Sequence, residues 1–148
     1  MSKFVFNGIA RIKVVEADSL KATDYSTRIF QTSGFLLSPY INLDIDDMPI
    51  GRTVTKHRNQ NPIFNEEFQI DIHTGTKLNF TVFHDSALPP DEFVANSSVL
   101  LHELKMTGGN DLWIDLEPNG RLHLNIDLEG SFTQSNYFIN IKVHHYYY

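Results

Sequence analysis

A chain of 148 residues with a net charge of −6 and no cysteine is long enough to bury one core without disulfides or thiolate metal sites. The acidic balance argues against a general nucleic-acid binder, which needs a basic face to displace phosphate counterions. No apolar run approaches the ~20 residues of a membrane-spanning helix. Met1–Gly8 holds no long apolar core of a secretory leader, and a cysteine-free composition fits a cytosolic protein.

Gly8–Glu16 alternates, with Ala10, Ile12 and Val14 on one face and Arg11 and Lys13 on the other, as a half-buried strand does. Asp18–Ser38 is a long polar connection. Tyr40–Asp46 reads as a second strand with Ile41, Leu43 and Ile45 inward, followed by a turn at Asp46-Asp47-Met48-Pro49. Gly51–Arg58 reads as a third strand, with Arg52, Lys56 and Arg58 sharing one face. After a turn at Asn59-Gln60-Asn61-Pro62, the fourth strand carries Phe64, Phe68, Ile70 and Ile72 on one parity. Gly75 is expected to open a hairpin into a fifth strand, Leu78–His84, and Phe93–Leu100 is the sixth. Leu101–Met106 suits one or two helical turns ended by Gly108-Gly109-Asn110, and Trp113–Leu116 is a short seventh strand. Pro118-Asn119-Gly120 has hairpin-turn chemistry. Beyond it Leu122, Leu124, Ile126 and Leu128 alternate with His123, Asn125, Asp127 and Glu129 in the clearest strand of the chain.

Strands at this spacing, each with one apolar face, argue for an all-β fold: an eight-stranded antiparallel β-sandwich. The domain is expected to occupy residues 1–130. Residues 131–148, with a stray strand-like run at Tyr137–Val143 and a terminal His144-His145-Tyr146-Tyr147-Tyr148, are expected to form a loosely held or variant-specific tail.

Phe83–Glu92 is the stretch to which function is assigned. Paired prolines and flanking carboxylates make it a loop at one end of the sandwich, where such folds keep their binding chemistry. An exposed Ala87-Leu88-Pro89, with Tyr25 at the same end, can enter a lipid interface at roughly 25 cal/mol per Å² of apolar area. Arg52, Lys56 and Arg58 supply a basic face worth about 1 kcal/mol per residue near an anionic leaflet. His84-Asp85 looks like half of an acid–base pair, but no nucleophile lies in register with it.

Several segments, in one order, resemble a known family. Thr55-Lys56 with Asn61-Pro62-Ile63-Phe64-Asn65-Glu66-Glu67-Phe68, and Pro39-Tyr40-Ile41, resemble the core signature of C2 domains. Phe6-Asn7-Gly8, Glu16–Lys21, Ile50-Gly51, Val82–Asp85, Asp91–Asn96 and Trp113–Pro118 are similar to the N-terminal C2 domain of the novel protein kinase C group, the epsilon and eta types. The resemblance implies a sandwich of the type II permutation. In those kinases it is followed by zinc-containing and kinase domains. This sequence has no Gly-rich phosphate loop and no His-Arg-Asp or Asp-Phe-Gly segment, so neither catalytic residues nor a cofactor is expected.

The resemblance also sets a calcium test. Calcium takes about six to eight oxygen ligands, many from carboxylates, and calcium-binding relatives supply them as aspartates from two loops. Carried over by position, these sites fall on Asp24, Ser38, His84, Ser86 and Glu92, so most of the required charge is missing and no metal is expected. The expected function is a calcium-independent phospholipid-binding and membrane-targeting module of signal transduction, cytoplasmic and reversibly membrane-associated. Its expected partner is an anionic surface of phosphatidic acid or phosphatidylserine, with no nucleic acid. One rival is a protein-interaction module that binds a kinase-anchoring protein through Glu16, Asp18 and Lys21, since Glu16–Thr23 resembles a segment given that role in the family. The other is a residual calcium-dependent membrane binder.

Overall fold

A computed structural model describes residues 3–23 and 36–135. Asp24, Tyr25 and the run from 137 to 148 lie outside the described residues. The strands are β1 (Lys3–Asp18), β2 (Pro39–Ile45), β3 (Met48–Arg52), β4 (Ile63–Gly75), β5 (Lys77–His84), β6 (Glu92–Leu100), β7 (Asn110–Asp115) and β8 (Arg121–Ser135). They form two four-stranded sheets, the first ordered β4-β1-β8-β7 and the second β3-β2-β5-β6. Every strand pairing is antiparallel.

The alternation read from the chain decides which faces meet. Ala10, Ile12 and Val14 of β1 and Leu122, Leu124, Ile126 and Leu128 of β8 are buried against Ile41, Leu43 and Ile45 of β2 and Leu78, Phe80 and Val82 of β5. Each sheet removes the other's apolar face from water, at roughly 25 cal/mol per Å². A bulge between Val14 and Glu16 reverses the parity of β1 near its end. Ala17 then joins the core, and Glu16 turns to the outer face.

Four expectations are corrected. The third strand covers Met48–Arg52, so it begins and ends earlier than expected. Thr53 accounts for its end: its buried hydroxyl accepts from the Ile41 N–H and donates to the Val54 carbonyl, substituting for the ladder. The Val54 N–H then donates to Glu66 on β4, in the other sheet. Arg52, Lys56 and Arg58 therefore do not share a strand face: Arg52 ends β3, while Lys56 and Arg58 ride the connection to β4.

Nor does Gly75 open a hairpin, because β4 and β5 belong to different sheets. The chain crosses over there with Thr76 and Lys77 held by the Asp46 carboxylate. The helical turn expected after β6 is present, as one 3₁₀ turn at Leu101–Glu103. Finally, β8 runs past 130 to Ser135, with Ser131 opposite Asn7 and Phe132 opposite Phe6, so the boundary expected at 130 falls inside a strand.

Gly8 and Gly130 face each other at φ values of 150° and 157°, and a Cβ on either would lie 2.2 Å from a carbonyl oxygen of the opposite strand. Such strain costs on the order of 1–3 kcal/mol. Gly8→Ala is expected to lower unfolding stability by about 2 kcal/mol in urea denaturation, and an unchanged midpoint would contradict this close approach.

Candidate functional site

The connections 53–62 and 85–91 and the described parts of the preceding one, 19–23 and 36–38, gather at one end of the sandwich, and backbone bonds bind them together. The Asp85 N–H donates to the Ser38 carbonyl at 2.9 Å, Lys56 N–H to the Pro39 carbonyl at 2.9 Å, and Asn59 N–H to the Leu37 carbonyl at 2.8 Å. Leu20 N–H donates to the Gln60 carbonyl at 3.1 Å. The described segments thus brace one another through their own backbone.

Of the five positions carried over for calcium, four are described. Ser38, His84, Ser86 and Glu92 do converge at this end, but not as a cage of anionic oxygens. The Ser38 hydroxyl accepts from the Arg58 N–H at 3.1 Å, and the Ser38 N–H donates to His84 Nδ1 at 2.9 Å. His84 is buried, with its ring nitrogen serving the loop as an acceptor. The Ser86 hydroxyl is buried without a hydrogen-bond partner among the described residues. Glu92 opens β6 directly opposite His84.

The two aspartates of the loop are engaged by the protein's own donors. The Thr55 hydroxyl donates to Asp85 Oδ2 at 2.7 Å. The Tyr40 hydroxyl donates to Asp91 Oδ2 at 2.6 Å, while the Ser86 N–H donates to Asp91 Oδ1 at 3.0 Å. Among the described residues, no group of three or more His, Asp or Glu side chains is arranged to hold a metal ion. The Tyr40 bond holds the Asp91 carboxyl below its ordinary value of 3.8. Burial and the Asp91 anion push the Tyr40 phenol up to about 12, so it remains a donor across the physiological range.

Tyr40 is also the centre of an aromatic platform on the outer face of the second sheet. The Arg52 guanidinium lies 3.8 Å from the Tyr40 ring centroid, and Phe83 stacks on Tyr40 at 5.7 Å. Phe83 in turn pairs across strands with Phe93, which is 41% exposed. Neither Tyr40 nor Asp91 stood out in the sequence as functional. The one available signal was a tyrosine on the outward parity of β2 beside an acidic loop.

Ala87, Pro89 and Pro90 are exposed, and Leu88 at the tip is 83% exposed. Leu88 does not fold back onto the domain. Lys56 is half-buried and Arg58 exposed in the neighbouring connection. Glu16 and Asp18 lie at the end of β1, Asp18 opposite Arg121. Leu20 is buried and tied to Gln60, while Lys21 is exposed.

The model of the family described as C2 domain matches residues 8–116, and the chain belongs to that family. It is 44% identical over 132 residues to protein kinase C epsilon type of Oryctolagus cuniculus, covering 86% of this chain and 18% of that protein. Against protein kinase C eta type of Homo sapiens it is 39% identical over 136 residues, covering 88% and 20%. The chain thus spans about a fifth of the length of the curated relatives it matches, and what it matches is their C2 portion, a non-catalytic module, without the kinase domain. Among solved structures, a C2 domain of plant Extended Synaptotagmin 1 superposes with a TM-score of 0.71 at 23% identity, covering 85% of this chain and 97% of that one. Human GIVD cytosolic phospholipase A2 gives 0.69 at 16% identity, covering 88% and 18%. These two likenesses establish the sandwich fold.

Tyr40→Phe removes the donor to Asp91. The variant is expected to lose about 1 kcal/mol of stability and to let the Asp91 carboxyl titrate closer to 3.8 in a carboxyl-carbon NMR titration. The folded Asp91 value is depressed, so its contribution is whole above the ordinary value and is lost as pH falls through the folded one. Identical Asp91 titration curves in the two proteins would remove the bond from the account.

Proposed function

We propose that this C2 domain is a calcium-independent, reversible phospholipid-binding module of signal transduction, cytoplasmic when unbound. It docks end-on to an anionic surface of phosphatidic acid or phosphatidylserine. The observation that carries this reading is Leu88, 83% exposed at the tip of a loop whose aspartates are already used as internal acceptors. A loop braced this way needs no ion to order it, and its apolar tip is presented to whatever surface it meets.

Ala87, Leu88 and Pro89 enter the interface, and Tyr25 is assigned to the same end from the sequence. Full burial of one leucine is worth roughly 1.5–3 kcal/mol, which suits reversible attachment. Arg52, Lys56 and Arg58 come from two structural elements rather than one strand face: Arg52 packs on Tyr40, and the backbones of Lys56 and Arg58 are bonded to Pro39 and Ser38. Each contributes up to about 1 kcal/mol beside an anionic leaflet. The net charge of −6 opposes approach at longer range, so attachment is weak and salt-sensitive.

A second reading has one observation in its favour. Lys21 is exposed on a segment whose neighbour Leu20 is pinned by Gln60, so Glu16, Asp18 and Lys21 present a preset surface to an anchoring protein. Sedimentation with vesicles separates the readings. Binding to phosphatidic acid vesicles in chelator, little binding to neutral vesicles, and about tenfold weaker binding by Leu88→Asp support membrane docking. Binding that appears only with calcium overturns calcium independence. Absence of binding under every condition favours the protein-interaction reading.

A further inference from the structure

His123 of β8 sits on the outer face of the first sheet, on the opposite side of the sandwich from the Tyr40 platform, and both flanking strands hold it. Its Nε2 lies 2.5 Å from Asp111 Oδ1 on β7, and its Nδ1 lies 3.3 Å from Glu16 Oε2 on β1. The ring stacks on Trp113 of β7 at 4.6 Å with 14° between planes, and the Arg121 guanidinium packs over the same indole at 4.6 Å. With its amide oriented to satisfy its hydrogen bonds, Asn125 also donates to Asp111 Oδ1, at 2.6 Å. The imidazole is well covered, its side chain 18% exposed against 72% for Asp111.

A neutral imidazole has one N–H and one lone pair, and an ionised carboxylate only accepts. Since both ring nitrogens face carboxylate oxygens, the neutral ring must turn a lone pair toward one of them. The imidazolium satisfies both at once and stacks as a cation on the indole. Burial of the ring disfavours its charge, but the hydrogen bonds to Asp111 and Glu16 outweigh burial and raise the His123 pKa above 6.5.

Other charges face this cluster from each neighbouring strand. Lys13 of β1 lies opposite Asn125, and Arg121 lies between Asp18 of β1 and Asp115 of β7. The cations oppose the added proton, and the two further carboxylates favour it.

We propose that His123 is a proton-operated clip that fastens the end of β1 and the edge strand β7 to β8, and that its deprotonation frees Glu16 and loosens β7. β7 is the outermost strand of its sheet, with β8 as its ladder partner, so a side-chain tie there bears directly on how readily the edge opens. A histidine with a raised folded pKa gives stability that is complete below its unfolded value and lost as pH rises through the folded one. The edge of the first sheet therefore relaxes toward mildly alkaline pH while the core stays intact.

The test is an imidazole NMR titration of the wild-type domain, with amide exchange of β7 followed over the same range and corrected for intrinsic rates. The expected result is a His123 midpoint above 6.5, with β7 exchange accelerating through that midpoint. His123→Gln keeps a neutral hydrogen-bonding side chain and is expected to abolish the acceleration. The wild-type melting temperature is expected to fall by about 2–4 °C more than the variant's between about pH 6 and about pH 8. A midpoint at or below 6.5 in the wild type, which needs no variant to read, overturns the clip. So do parallel pH profiles for the two proteins.

Discussion

Asp91 accepts one hydrogen bond from the Tyr40 hydroxyl and another from the Ser86 amide, so each of its carboxylate oxygens is bonded to the domain itself. Asp85 is likewise turned to Thr55. These bonds hold both carboxylates against the domain's own donors. They tie the loop to β2 and to the β3–β4 connection, and the shape of this end of the sandwich follows from that constraint. Removing either carboxylate from its donor would leave a half-buried polar group to be satisfied by water, at a cost of about 1–3 kcal/mol.

A braced loop also explains an exposed leucine. Single exposed apolar residues are common on any protein and need no function. Leu88 differs in its setting: it projects from a loop whose Asp91 is bonded to Tyr40, the ring that Arg52 and Phe83 pack against. Fixing the loop beforehand lowers the entropy lost on contact with a surface.

Period-two alternation made β1, β2, β5 and β8 legible, because each sheet packs one face against the other and every second residue reports it. Contacts between elements distant in sequence were not legible. Arg52-Thr53-Val54 continues the look of a strand, yet the Thr53 hydroxyl replaces the ladder and sends the chain to the opposite sheet. Gly75 has hairpin chemistry, but the Asp46 carboxylate holds Thr76 and Lys77 where the chain crosses to the other sheet. The apolar alternation ends at Leu128 and the chain changes character from Ser131, although Gly130 faces Gly8 within a continuous strand pair that runs on to Ser135. In the 85–91 loop, the exposure of Leu88 and its prolines was readable from turn composition alone. The Tyr40–Asp91 bond joins residues 51 positions apart, and His123 meets carboxylates from two other strands. No local pattern encodes either arrangement.

The central claim is that the aspartates of the 85–91 loop serve the protein and not an ion. Calorimetric titration of calcium into the lipid-free domain, with the Tyr40 and Asp91 resonances followed in parallel, tests it most directly. The account predicts no saturable heat at micromolar calcium and no change in either resonance. Micromolar uptake accompanied by loss of the Tyr40–Asp91 bond would contradict it.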